Sequence, residues 1–235
     1  MSKFQDLSFS FEDFSGTVRL LPLPNLVLFP YVMQPLHIFE GRYRHLLEDA
    51  LDGDRLIALA TLAPGWEDDY EGRPPVYPVA CLGRITTHCR LEDGTYNVLL
   101  LGLRRVRLVR ELAPSGGFRR AEVEVCADYN APHQAAAEDT LRSKLREAFM
   151  RVLPMVLESH EQLESLFDSD VPLGVLTDVI SFAIDLPVEY KETLLSQTDV
   201  HRRAGMLLRH LSAASAQFES ACCGPTVFPP QFSPN

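Results

Sequence analysis

The sequence contains residue types that perform chemistry in other proteins, but not at the spacing that the chemistry requires. A phosphate-binding Walker loop needs a glycine directly before a lysine, and none of the three lysines, at positions 3, 144 and 191, follows a glycine. His160 and Glu161 begin like a zinc-protease helix, but Glu164 stands where that motif needs its second histidine. His201 and His210 are too far apart to bind one metal from adjacent turns of a helix. We therefore expect no metal and no other cofactor.

Nucleophilic catalysis finds little support in the sequence. There is no Gly-x-Ser-x-Gly elbow, and the neighbours His88 and Cys89 would point to opposite faces of a strand. The five cysteines are odd in number and include no C-x-x-C pair, so we expect free thiols rather than disulfides. We predict a protein that is not an enzyme. A hydrolase whose Ser or Cys meets a His only in the folded chain stays open as an alternative.

The strongest charge feature is a cluster of arginines between positions 104 and 120. Its candidate binding residues are Arg104, Arg105, Arg107 and Arg110. On a strand, Arg105 and Arg107 share one face, and such a patch can bind RNA or an acidic segment. The alternative is a solvated sheet face whose charge is neutralised by acidic neighbours, namely Glu111, Glu122 and Glu124.

Net charge and hydropathy limit the classes of binding partner and the cellular compartment that we expect for this protein. The net charge of −10 speaks against nucleic acid, because binding phosphates needs a surplus of positive charge. No apolar run approaches the roughly 18 residues of a membrane helix, so no membrane partner is expected. The first residues, MSKFQDLSFSFEDF, lack the basic start and apolar block of a secretory signal. These features predict a cytoplasmic protein.

Hydropathy periods divide the chain into a strand-rich part and a helical part. Short alternating runs with turn signals, such as Glu92-Asp93-Gly94 between two of them, predict strands from position 17 to 125. Within that part, Tyr43, Leu46, Leu47 and Ala50 lie on one face of a helix. Strands followed by helices predict an α+β fold with segregated parts.

The later half of the chain has a helical texture. Helices are predicted around 141–152, over 175–184 and 188–195, and after a Thr198-Asp199 cap. The predicted boundaries are an N-terminal extension at 1–16, a β subdomain at 17–127, a helical bundle at 134–221 and a disordered, proline-rich tail at 222–235.

The proline-punctuated stretch from 22 to 43 is predicted to build the scaffold. Its prolines favour extended chain rather than helix. We expect Phe29, Leu36 and Phe39 to be buried, each contributing about 1.5–3 kcal/mol to stability. Binding would then use exposed features, either a groove between the β part and the helices or an uncovered strand edge that pairs with an extended peptide.

Several motifs together resemble the N-terminal domain of Lon proteases. They are LPL at 21–23, LFP at 28–30, PLHIFEGRY at 35–43, VACLGRI at 79–85 and DGTY at 93–96 with Gly102 and Arg105 after it. In the helical half they are LTD at 176–178, LP at 186–187 and Arg202-Arg203. The resemblance covers about residues 17–212. Tyr31 and Ala80 depart from it, since that family often has glycine at both places.

The resemblance implies a PUA-like, mostly antiparallel β-barrel followed by a C-terminal helical bundle. It also implies a role in recognising substrates, here without the ATPase and protease parts. We expect a non-catalytic module that binds unfolded or partly folded polypeptide, or a protease or chaperone partner, as an adaptor or regulator of proteolysis. The alternative is an RNA-binding PUA-like module that uses the arginine cluster.

Overall fold

The computed structural model describes residues 14–113, 117–130, 135–152 and 171–222. The histidine and acidic residues at 160–164 and nearly all of the predicted tail at 222–235 lie outside these ranges. Of the predicted N-terminal extension, residues 14–16 are described, and Phe14 packs against a cluster of sheet residues. The subdomain boundaries given above stay a prediction.

Six strands form one sheet in the order β2-β5-β4-β3-β1-β6. Their bounds are Thr17–Leu23 (β1), Met33–Ile38 (β2), Leu56–Thr61 (β3), Val79–Arg90 (β4), Tyr96–Glu111 (β5) and Arg119–Cys126 (β6). Only β1 and β3 pair in parallel, and the other pairings are antiparallel. An additional pairing between β5 and β6 closes β5, β4, β3, β1 and β6 into a ring, with β2 outside it. The mostly antiparallel arrangement is confirmed.

A close backbone contact lies where β5 passes the segment before β2. A Cβ atom on Gly102 would lie 2.0 Å from the carbonyl oxygen of Phe29, so no other residue fits there without moving the backbone. Tyr31 donates its backbone N–H to the Gly102 carbonyl at 2.7 Å. Its φ of 64° lies in the left-handed region that favours glycine. This conformation explains why the resemblance expects glycine at position 31.

Five helices are described in addition to a short 3₁₀ turn. Their bounds are Gly41–Leu51 (α1), Ala135–Val152 (α2), Leu173–Ala183 (α3), Val188–Ser196 (α4) and Val200–Cys222 (α5). The predicted apolar face of α1 is buried. The cap of α5 is also confirmed, because Asp199 Oδ1 accepts the backbone N–H of Arg202 at 3.0 Å. The α+β class follows, with α2 to α5 after the last strand as predicted.

One continuous hydrophobic cluster joins the sheet to the helices. It runs from Leu21 and Phe29 in the strand part to Leu207 and Leu211 in α5. A second cluster lies within the sheet. The predicted burial of Phe29 is confirmed at 0% exposure, but that of Phe39 is wrong, because its side chain is 62% exposed. Leu36 is half-buried.

Candidate polypeptide-binding surface

The predicted arginine patch does not exist as a single surface. Arg105 is only 2% exposed, so its place in an exposed patch is a wrong prediction. Arg104 is half-buried, and its Nη1 donates to Tyr31 Oη at 3.0 Å and to the Leu103 carbonyl at 2.8 Å. Arg107 and Arg110 are exposed. The structure therefore separates Arg105 from the other three residues.

The exposed arginines face carboxylates on the neighbouring strand. Arg107 stands opposite Glu124 and Arg110 opposite Glu122 in the β5–β6 register. Arg110 Nε also donates to Glu122 Oε2 at 2.5 Å. Pairing of this kind neutralises the sheet face, as the alternative interpretation of the arginine cluster expected.

Arg105 belongs to a buried ionic network between the sheet and the helices. Its Nη1 donates to Asp178 Oδ2 at 2.9 Å, its Nη2 also donates to Asp178, and its Nε donates to the Leu195 carbonyl at 2.7 Å. Arg203 lies on the other side of Asp178, with its Nε 3.3 Å from Oδ1, and donates to both oxygens of Asp128. Two guanidinium groups and two carboxylates thus neutralise one another at this boundary.

The electrostatics of the network keep Arg105 charged. Burial alone would lower the pKa of its guanidinium, but attraction and hydrogen bonds from Asp178, with Asp128 further away, outweigh burial and raise that pKa. A charged side chain with no solvent contact and every bond directed inward has a structural role. The backbone of Tyr129 adds to the connection by pairing with Asp199 in a parallel bridge.

Strand β2 has an uncovered edge. Among the described strands it pairs only with β5, through residues 96–101. Pro35 in its middle has no N–H to donate, which suits an edge strand. Outside Pro35, which removes one donor, a strand edge without a neighbour presents backbone N–H and C=O groups that can pair with an extended peptide. Among the described strands, β2 is one edge of the kind that the sequence analysis considered for binding.

The outward face of β2 is apolar and exposed. Met33 is 50% exposed and Phe39, one residue past the strand, is 62% exposed. Pro35 and His37 are exposed between them, and half-buried Leu99 stands opposite Pro35 on β5. The rings of His37 and Phe39 stack with centroids 6.1 Å apart. We name these five residues the β2 surface. Sequence reasoning placed Phe39 in the core and so missed this surface.

The described part of the chain lacks two kinds of feature, a cluster of metal ligands and a membrane-spanning helix. It contains no group of three or more His, Cys, Asp or Glu side chains arranged to hold a metal ion. Burial raises the pKa of the Cys81 thiol, which keeps it protonated and unreactive. None of the described helices combines the length and apolar character that crossing a membrane requires.

One buried carboxylate lies outside the ionic network. Glu192 on α4 is 2% exposed, and neither of its carboxylate oxygens has a hydrogen-bond partner among the described residues. Burial raises the pKa of its carboxyl group from 4.5 to about 7, against a smaller opposing contribution from the Thr61 hydroxyl. In the folded protein this group is therefore partly protonated near neutral pH.

Glu192 is expected to make stability depend on pH. Because its pKa is higher in the folded state, the folded protein binds more protons between about pH 4.5 and 7. The free energy of unfolding should fall by up to about 3 kcal/mol as pH rises through this window. Denaturant unfolding at pH 5 and pH 8 should show this loss, and Glu192→Gln should remove most of it. The exposed neighbour Glu189 provides the control, and an equal effect of Glu189→Gln would contradict the assignment.

Comparison with known proteins identifies the family. A family model described as "ATP-dependent protease La (LON) substrate-binding domain" matches residues 17–213. The chain belongs to this family. The matched range includes all six strands of this Lon substrate-binding domain. It also includes the four residues of the buried arginine network. The resemblance seen in the sequence is confirmed.

Curated relatives are longer than this chain. Lon protease 2 of Myxococcus xanthus is 27% identical over 201 residues, which are 86% of this chain and 24% of that protein. Lon protease 2 of Desulfotalea psychrophila is 30% identical over 196 residues, or 82% of this chain and 24% of that protein. The chain thus spans about a quarter of the length of the Lon proteases that it matches.

Two solved structures share the fold over nearly their whole length. The Lon N-terminal domain protein of Xanthomonas campestris has a TM-score of 0.60 at 22% identity, covering 82% of this chain and 97% of that one. The N-terminal domain of the Mycobacterium avium complex Lon protease has a TM-score of 0.62 at 18% identity, covering 83% and 98%. At these identities the likeness establishes the fold.

Proposed function

We propose that this Lon-type domain binds unfolded or partly folded polypeptide at the β2 surface and does not itself cleave it. The observation that carries the proposal is the uncovered β2 edge with Met33 and Phe39 exposed beside it. An extended chain would pair with the edge through its backbone and cover the apolar side chains with its own. Membership of a substrate-binding family supports a polypeptide ligand.

By binding polypeptide in this way, the protein would act as an adaptor or a regulator of proteolysis. A domain that holds polypeptide can present it to a protease or chaperone. Nucleic acid is disfavoured because Arg105 is buried, Arg110 is paired with Glu122, and the chain carries a net charge of −10. Cytoplasmic location and the lack of catalysis belong to this same proposal.

The test is a titration of a reduced, carboxymethylated and permanently unfolded protein at moderate salt, followed by fluorescence anisotropy. The double variant Met33→Ser/Phe39→Ser should bind about tenfold more weakly or worse, because two half-exposed apolar side chains each lose roughly 1 kcal/mol of burial. Val109→Ser/Val125→Ser is the matched control, since these valines are also exposed, at 50% and 36%, on β5 and β6.

Three results would count against the proposal. Absence of binding at high micromolar concentration removes the polypeptide function. Equal loss in both double variants removes the assignment to the β2 surface. Tighter, salt-steep binding of single-stranded RNA in the same assay would favour the alternative function.

A further inference from the structure

The second apolar feature of the described structure is a cavity. It has a volume of about 190 Å³ and opens between the end of β1, the start of α1, the loop at 70–74 and the start of β6. Its apolar walls include Pro22, Tyr43, Tyr70, Pro74 and Phe118. Cavities that hold drug-sized ligands or cofactors have roughly 300–1,000 Å³. This one is therefore of a size for a single large side chain.

The aromatic walls are held in place by specific contacts. Tyr43 Oη donates to the Pro22 carbonyl at 2.9 Å, and Tyr70 Oη donates to Glu40 Oε1 at 2.6 Å. The Arg42 guanidinium lies 4.8 Å from the ring centre of Tyr43 and 4.7 Å from that of Tyr70. Arg42 Nη1 also donates to the Tyr70 carbonyl at 3.0 Å. A cavity with walls fixed in this way can receive a side chain with little ordering cost.

Carboxylates hold two arginines at the edge of the cavity, Arg42 and Arg119. Arg42 Nη2 is buried and makes no hydrogen bond within the described residues. It lies 2.9 Å from Glu40 Oε2, but Arg42 Nε makes the hydrogen bond to that oxygen. By contrast, Arg119 is fully engaged, with two bonds to Glu111 and one from Nη1 to the Pro74 carbonyl at 2.9 Å. Because Arg42 Nη2 has no exposed surface, a ligand in the cavity cannot bond to it, and this guanidinium acts by holding the two tyrosine rings in place.

The charges around the cavity select a neutral ligand. Its three arginines are Arg42, Arg73 and Arg119. Glu40 pairs with Arg42. Glu111 pairs with Arg119 and also with Arg73, whose Nη2 lies 3.2 Å from Glu111 Oε2. Glu71 supplies a third carboxylate at the lining. Three positive and three negative groups leave no surplus of either sign, which disfavours a phosphate or a cation as the occupant.

We propose that this cavity binds one large apolar side chain of an extended polypeptide, aromatic by preference. The inference rests on the proposed polypeptide-binding function and adds a specific anchor to it. Aromatic side chains suit the site because Tyr43, Tyr70 and Phe118 offer ring edges and faces to a bound ring. Bound chains would then be selected for a bulky residue at one position.

The test uses a small probe that contains only the anchor. N-acetyl-L-phenylalaninamide carries the ring and two carbonyl oxygens, and N-acetyl-L-alaninamide carries the same backbone without the ring. In ¹H–¹⁵N spectra of the full chain, the phenylalanine probe should shift the amides of Gly72 and Gly117 saturably, with a Kd of about 1 mM. The alanine probe should not saturate at tenfold higher concentration.

Two variants and a matched control locate the site. Tyr70→Ala removes one wall of the cavity and should weaken the phenylalanine probe at least fivefold. Arg42→Met keeps the aliphatic stem but removes the guanidinium that lies over both tyrosine rings, and should also weaken binding of the phenylalanine probe at least threefold. Tyr129→Ala is the control, because that tyrosine is 56% exposed and does not line the cavity. Unchanged amide shifts in β3 and β4 verify that each variant is folded.

The outcomes separate the anchor from the general function. If the unfolded protein binds but the phenylalanine probe does not shift the cavity amides, the anchor is overturned and the β2 proposal stands. If the probe binds and the unfolded protein does not, the polypeptide function is overturned. Equal affinity for the two probes, or equal loss in Tyr70→Ala and Tyr129→Ala, also overturns the anchor.

Discussion

Replacing Asp178 with alanine is expected to lower the free energy of unfolding by about 3–5 kcal/mol, because it leaves two buried guanidinium groups without their shared partner. Asp178 has no solvent exposure and is bonded by Arg105, while Arg203 lies beside it. The remaining carboxylate of the network, Asp128, is partly exposed and interacts mainly with Arg203. Arg105 would keep its charge in an apolar boundary with little compensation.

Urea unfolding followed by circular dichroism measures this effect. Glu122→Ala is the matched control, since Glu122 also pairs with an arginine but at 44% exposure, and it should change stability by no more than about 1 kcal/mol. The double variant Arg105→Met/Asp178→Leu should be less destabilised than the sum of the single variants, because an apolar pair replaces an ion pair. Strict additivity of the two changes would contradict a direct interaction.

Replacing Gly102 with alanine should cost about 3 kcal/mol, although it adds only one methyl group. The new Cβ would lie 2.0 Å from the Phe29 carbonyl oxygen and 2.9 Å from its carbon. Both are backbone atoms of a fully buried segment, so neither can rotate away. Relief requires β5 to separate from the chain before β2, which strains the Tyr31–Gly102 hydrogen bond.

Gly205→Ala provides a control with the opposite sign. Gly205 lies within α5, and a Cβ there would meet only Arg209 Nη1, at 3.7 Å. Alanine is favoured over glycine inside a helix, so this variant should gain about 0.5–1 kcal/mol. Thermal unfolding of both variants gives the comparison. A Gly102→Ala protein as stable as the parent would show that the close contact is absent.

Local patterns were sufficient to predict most of the secondary structure. The helical period at Tyr43, Leu46 and Leu47 predicted α1, and the Thr198-Asp199 signal marked the start of α5. These signals depend on residues a few positions apart, which the sequence displays directly. The ring closure between β5 and β6 is different, because strand order is set by contacts across the whole sheet.

The candidate site was harder to predict because exposure depends on what covers a strand. Arg105 and Arg107 alternate as a solvated face would, yet α3 and α4 cover the first and leave the second exposed. Phe39 was predicted to be buried because it belongs to an apolar run, but it is exposed because it lies one residue past an edge strand. The local sequence around Arg105 and Phe39 does not show which distant elements cover the first and leave the second exposed.

The ionic network also affects how the nascent chain acquires its shape. Arg105 is bonded to Asp178, 73 residues later, and to Leu195, 90 residues later. Until the ribosome has added these residues, Asp128 is the only carboxylate of the network available to the guanidinium, which must otherwise stay hydrated. The strand part therefore completes its interior only after α3 and α4 have been synthesised, and until then the growing chain exposes surface that the finished fold buries.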